Sequence, residues 1–239
     1  MIKEKKELNP YFFDSTTKRI KPKVRQRLIK IADDFKDGLD INWVQPSDIV
    51  LTGSISNYNW SKYSDVDLHI ILDFKKVDDN IELVKNYFDS KKKEWNNNHE
   101  NLTIYGFPVE LYCQDINEEH TSSGIYSLEN DKWIIEPEIV NPKLNKNIIK
   151  EKAAKIMDII DNLYFEYALA NNNIEKTIAI SNKVKNIWDK IKSFRKQGLI
   201  KEGEFSYENV IFKVLRRTEY LQKLADLKSF TYDRINSLK

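Results

Sequence analysis

Asp65 and Asp67 stand two residues apart in the run Asp65-Val66-Asp67-Leu68-His69-Ile70-Ile71-Leu72. Alternate side chains of a strand point to opposite faces, so Asp65, Asp67 and His69 share one face and Val66, Leu68, Ile70 and Leu72 the other. The second set is wholly apolar and belongs in a core. Two carboxylates about 7 Å apart along one edge, at a rise of roughly 3.3 Å per residue, repel each other and lose hydration unless a cation joins them. A hard divalent ion with oxygen ligands meets that need. Upstream, the apolar run Ile49-Val50-Leu51 ends in Thr52-Gly53-Ser54. Gly53 permits positive φ and close approach of the backbone. Ser54 is placed to cap a helix over residues 55 to 60, whose N-terminus would offer N–H groups and a positive dipole end to a phosphate. A phosphate cradle and two metal carboxylates would then face one cleft. A third carboxylate is offered by Pro108-Val109-Glu110-Leu111-Tyr112-Cys113-Gln114. There the odd positions are apolar and Glu110 projects with Tyr112 to the opposite face. Asp115 is the rival, but a carboxylate within an apolar strand needs a reason, which favours Glu110.

Gly53-Ser54, ten intervening residues and Asp65-Val66-Asp67 together resemble the G-S-x10-D-x-D signature of the DNA polymerase beta-like nucleotidyltransferase superfamily. The resemblance covers roughly residues 47 to 115. It implies an α+β fold, a polymerase beta-like nucleotidyltransferase mixed sheet flanked by helices, with a C-terminal helical bundle after it. It also implies transfer of a nucleoside monophosphate from an NTP, such as ATP, to a hydroxyl acceptor with release of pyrophosphate. Asp65, Asp67 and Glu110 would be both the catalytic residues and the ligands of two Mg²⁺ ions, with Mn²⁺ a possible substitute. Gly53 and Ser54 would hold the triphosphate, with Asn57 and Lys62 as further nucleotide-binding candidates. Many small members of the superfamily carry Arg three residues after the serine, where this chain has Asn57. RNA, another nucleotide or a protein could serve as acceptor. The alternative is an inactive nucleotide-binding or interaction module of the same fold.

The elements that must position these groups are legible in outline. Val24, Leu28, Ile31 and Phe35 give helical period from Pro22 to Lys36, with Pro22 at a tolerated first-turn position and Gly38 as the stop. The first core strand runs from Asp48 to Thr52. After the Asp strand, Val77 to about Asn96 reads as one amphipathic helix ended by Asn96-Asn97-Asn98, its Lys91-Lys92-Lys93 run a solvated face. Leu102 to Tyr105 pairs with Pro108 to Gln114 through Gly106-Phe107. A second hairpin, Gly124 to Leu128 and Trp133 to Glu136, closes a catalytic domain over 1–143, and Pro137 and Pro142 mark a hinge. Beyond it, over 144–239, three helical stripes predict a bundle: Ile149 to Tyr167, Ile174 to Ile191, and Ile211, Val214, Leu221 and Leu224. Tyr11-Phe12-Phe13 near the start reads as an aromatic knot docked on the body. Trp60 and Tyr63 are open to base stacking or to packing.

Bulk properties narrow the class further. The chain of 239 residues carries 39 basic and 37 acidic side chains, net +2. From Leu144 onward 19 basic face 12 acidic, leaving 20 against 25 before it. That basic second half suits an anionic partner or is simply a set of solvated helix faces. A single cysteine, Cys113, excludes an internal disulfide, and three histidines argue against a Cys/His zinc site. No segment approaches the roughly 18 apolar residues of a membrane span, and the charged start MIKEKKELNPYFF has no secretory apolar core, so a cytoplasmic protein without membrane contact is expected.

Overall fold

Strand alternation and one crossover organise the first part of the chain. The computed structural model describes residues 5–120, 122–140 and 144–238, so Pro142, expected as part of a hinge, lies outside the described residues. The chain divides into two compact units, one within residues 2–141 and one over 142–239.

The first unit is built on a six-stranded sheet in the order β3-β4-β2-β1-β5-β6. β1 (Asp48–Thr52) and β2 (Val66–Leu72) run antiparallel. β4 (Phe107–Asp115) lies parallel to β2. A parallel neighbour cannot be reached by a tight turn, so the chain crosses over through helices between β2 and β4. Where one helix was expected there are two: α2 (Phe74–Val77) and α3 (Ile81–Asn98). The break has a local cause. Asp78 Oδ1 accepts the N–H of Asn80 at 2.7 Å, and Asn80 Oδ1 accepts that of Leu83 at 3.1 Å, which starts a new helix. The Asn96-Asn97-Asn98 run does not end α3; it stays helical.

β3 (Thr103–Ile104) joins β4 through Tyr105 and Gly106 alone, with φ of 52° and 82°. Two consecutive positive φ values give the twist that a two-residue hairpin needs. Phe107 therefore belongs to the strand and not to the reversal. β5 (Ile125–Ser127) and β6 (Lys132–Ile135) form the second hairpin on the other side of β1. α1 (Pro22–Asp37) buries Val24, Leu28, Ile31, Ala32 and Phe35. It stops at Gly38 in a right-handed conformation, φ −76°, so left-handed freedom is not what ends it.

The apolar set of β2 enters one core with Leu51, Leu111 and α1. The aromatic knot docks there: Phe12 and Phe13 are buried, Phe13 stacks on Trp133 at 5.2 Å, and Phe12 meets Phe107 edge-on. Burying each such ring stabilises the fold by roughly 1.5–3 kcal/mol.

Among the described residues the second unit holds four α-helices rather than three: α4 (Lys146–Leu169), α5 (Ile174–Glu202), α6 (Tyr207–Arg217) and α7 (Tyr220–Asn236). The expected third stripe is cut between Val214 and Leu221. Thr218 returns its hydroxyl to the Val214 carbonyl, and Glu219 takes φ +63°, which no helix continues through. The α5 stripe also differs at its start: Ile174 and Ile178 are exposed, whereas Thr177, Ile180 and Val184 are buried. Side chains of Asn145, Asn173 and Ser206 cap α4, α5 and α6. Among the described residues no helix is long and apolar enough to cross a membrane.

Candidate active site

Register brings the acidic residues together. In the parallel pairing of β2 with β4, Asp67 stands opposite Glu110, and Asp65 immediately precedes β2. Each of the three offers a carboxylate oxygen within 4.8 Å of the other two, and all three residues are half-buried. Two unit charges at that separation repel by about 3 kcal/mol at an effective dielectric constant near 20. Hard oxygen donors so placed fit a divalent cation, since ligands on opposite sides of an ion with bonds of about 2.1–2.4 Å lie about 4.2–4.8 Å apart. Asp115 sits at the far end of β4, opposite Leu72, and its Oδ1 accepts from the backbone and side chain of Asn117. The third member of the cluster is thus Glu110.

The Gly-Ser turn presses against this cluster. Gly53 has φ +72°, and a Cβ built on it would fall 1.9 Å from Asp67 Oδ2. Only glycine leaves room for the carboxylate against the backbone. The expected helix over residues 55–60 is absent; the stretch from Gly53 to Asn59 is a succession of turns. Local polar side chains take the backbone groups a helix would use. Ser56 Oγ donates to the carbonyl of Gly53 at 3.4 Å, and Asn57 Oδ1 accepts the N–H of Tyr58 at 2.7 Å. Ser54 therefore caps nothing. Its hydroxyl meets that of Ser64 at 2.8 Å, and Ser64 Oγ also accepts the N–H of Ser61. This contact staples the two ends of the ten-residue excursion and sets where Asp65 begins.

A family model for the nucleotidyltransferase domain matches residues 28–156, more than half of the 239 residues. The chain belongs to this nucleotidyltransferase family. With it comes membership of the polymerase beta-like superfamily, and the α+β fold described above is the one that family carries. No curated protein and no solved structure matches the chain.

Around the acidic cluster, this nucleotidyltransferase domain adds groups that sequence reasoning missed. Tyr112 donates its hydroxyl to Glu110 Oε2. Burial, followed by the charges of Glu110 and Asp67, pushes that phenol well above its ordinary range, so it remains a donor. Lys92, expected on a solvated face, is half-buried instead, its Nζ 3.3 Å from the centroid of the Tyr112 ring. Burial lowers its pKa; the charges of Glu110, Asp67, Asp89 and Asp65 oppose that shift. The signal was present in the spacing. Val84 and Phe88, the buried residues of α3, put Lys92 four residues further along the same stripe.

Of the other nucleotide-binding candidates, Asn57 is 1% exposed and donates to Ser123 Oγ at 2.5 Å, holding the loop from inside. Lys62 is exposed, its ammonium 4.9 Å from the ring of Tyr63. Trp60 packs on the core and donates to the Glu7 carbonyl, while Tyr63 is exposed. Cys113 is held protonated, its pKa raised to about 12 by burial.

A cleft of 390 Å³ runs along the same sheet face, lined by Thr52, His69, Lys92, Tyr112, Gln114 and His120 among others. His69 Nδ1 lies 2.8 Å from Gln114 Oε1, and Gln114 Nε2 donates to the Glu118 carbonyl. A carbonyl can only accept, which orients the amide and places the imidazole proton on Nδ1. Burial first, with His120 and Lys92 adding to it, lowers the His69 pKa to about 4. Between about pH 6.5 and 4 the folded state binds fewer protons here than the unfolded chain, so stability falls as pH drops through that window, by up to about 3 kcal/mol. His69→Asn should flatten this part of the profile. Urea-unfolding free energies of the metal-free protein at pH 6.5 and at pH 4 check it; an unchanged difference would show that His69 does not carry the effect.

Proposed function

We propose that this nucleotidyltransferase moves a nucleoside monophosphate from an NTP to a hydroxyl acceptor and releases pyrophosphate. The observation that carries the reading is the convergence of Asp65, Asp67 and Glu110 beside the Gly53-Ser54 turn. Asp65, Asp67 and Glu110 would hold Mg²⁺, with Mn²⁺ able to replace it. When bound, such ions neutralise phosphate charge and lower the pKa of a coordinated hydroxyl. The protein's own contributions follow from the site. Glu110 accepts the acceptor's proton or binds an ion, its carboxylate oriented by the Tyr112 hydroxyl. Gly53, having no side chain, lets the Asp67 carboxylate close against the turn that would meet the phosphates, where a helix N-terminus was expected to hold them. Ser54, tied to Ser64, keeps the turn in register with Asp65. Lys62, on the exposed side of the loop, is available to the nucleotide, and Asn57 supports the loop through Ser123. RNA, a second nucleotide or a protein hydroxyl would supply the acceptor.

Incubation with each labelled NTP and Mg²⁺, with and without RNA, followed by mass analysis of products and of the protein, tests this. Pyrophosphate release matched by one nucleoside monophosphate on an acceptor is the expected result. Nucleotide binding without incorporation into any acceptor would replace the enzyme by a nucleotide-binding module of the same fold.

A further inference from the structure

An ammonium group stands near the carboxylate cluster. Lys92 extends from α3, on the stripe that Val84 and Phe88 bury, and lies over the ring of Tyr112, whose hydroxyl is on Glu110. It shares the cleft wall with Thr52, the β1 partner of Asp67. We propose that Lys92 is the built-in counter-ion of Asp65, Asp67 and Glu110, offsetting part of their charge in the metal-free protein and passing to the nucleotide's phosphates once divalent ions are bound. The inference rests on reading those carboxylates as the metal and nucleotide site.

Charge argues for the transfer. Three carboxylates and one ammonium leave two net negative charges, the complement of one divalent ion. Every ion that enters meets repulsion from Lys92, and once it is seated it screens the carboxylates from the ammonium. Lysine is a compact charge on a flexible stem of four carbons, able to swing from one anion to another. The anion then presented to the cleft is a phosphate of the bound nucleotide.

The two halves of the proposal have opposite signs, which a lysine serving only to pack α3 would not produce. Lys92→Met keeps the apolar stem and removes the charge; Lys92→Gln is a second neutral variant, and Lys92→Arg retains the charge. Mn²⁺ binding to the full chain without nucleotide, followed by electron paramagnetic resonance, should tighten about tenfold in both neutral variants. Binding of a non-hydrolysable NTP analogue at saturating Mg²⁺ should weaken about tenfold in the same variants, with Lys92→Arg close to wild type in both assays. Neutral variants that leave Mn²⁺ affinity unchanged, or weaken both ligands together, would overturn the counter-ion role while the metal site stands. A wild-type chain that binds no Mn²⁺ would instead remove the metal site, and this proposal with it.

Discussion

Asp65→Asn and Asp67→Asn are each expected to lower nucleotidyl transfer by at least about 10³-fold while the metal-free protein melts at an unchanged or higher temperature. Loss of a metal carboxylate removes several kcal/mol of transition-state charge stabilisation, and about 4 kcal/mol is a factor near 10³ in rate. Stability should move the other way. The three carboxylates lie within 4.8 Å of one another, and their mutual repulsion, only partly offset by neighbouring groups, is a cost that folding carries in the metal-free protein. Because the groups are half-exposed, solvent screens much of that repulsion, so relief of about 1 kcal/mol is the scale expected from an amide replacement. Single-turnover rates with Mg²⁺ and thermal melts in chelator check the two halves together. A double variant with wild-type turnover would end the assignment of these residues to catalysis.

Gly53→Ala should give a protein that folds and barely turns over. The new methyl group would sit 1.9 Å from Asp67 Oδ2, and the backbone holds φ +72°, where an alanine is strained by about 1–2 kcal/mol. The atoms in the way, Oδ2 and Cγ of Asp67, belong to a carboxylate that can turn about its side-chain bonds, so it swings aside and the sheet is spared. A displacement of about 1 Å from productive geometry is enough to lower a rate by about 10². The expected outcome is therefore a loss of about 10²-fold or more in kcat, with a melting temperature only a few degrees lower. Normal turnover by this variant would show that the close approach of Gly53 to Asp67 has no part in the chemistry.

The strands carrying Asp67 and Glu110 were readable because their evidence is local. Period-two alternation in β2 and β4 sorts Asp67 and Glu110 onto polar faces without knowledge of any neighbour, and both strands form close to where alternation puts them. The helix expected after Ser54 failed for an equally local reason that composition did show. Ser56, Asn57 and Asn59 are residues whose side chains compete for backbone groups, and all three are buried in turns. The same competition by Asp78 and Asn80 splits α2 from α3, and Thr218 with Glu219 ends α6.

By itself the sequence determined the apolar alternation, the Gly-Ser turn after β1, the aspartate pair and the helical character of the second unit, since each is a matter of neighbours along the chain. Tertiary structure alone decided that β4 lies parallel to β2 with Glu110 opposite Asp67, that Ser54 meets Ser64, and that Lys92 folds over Tyr112. Glu110 is 43 residues from Asp67 in the chain and Lys92 is 25 from it, so their placement depends on strand register and helix docking, which balance many distant contacts at once. Charge type pointed Lys92 to solvent; its position on the buried stripe of α3 brought it over the Tyr112 ring instead.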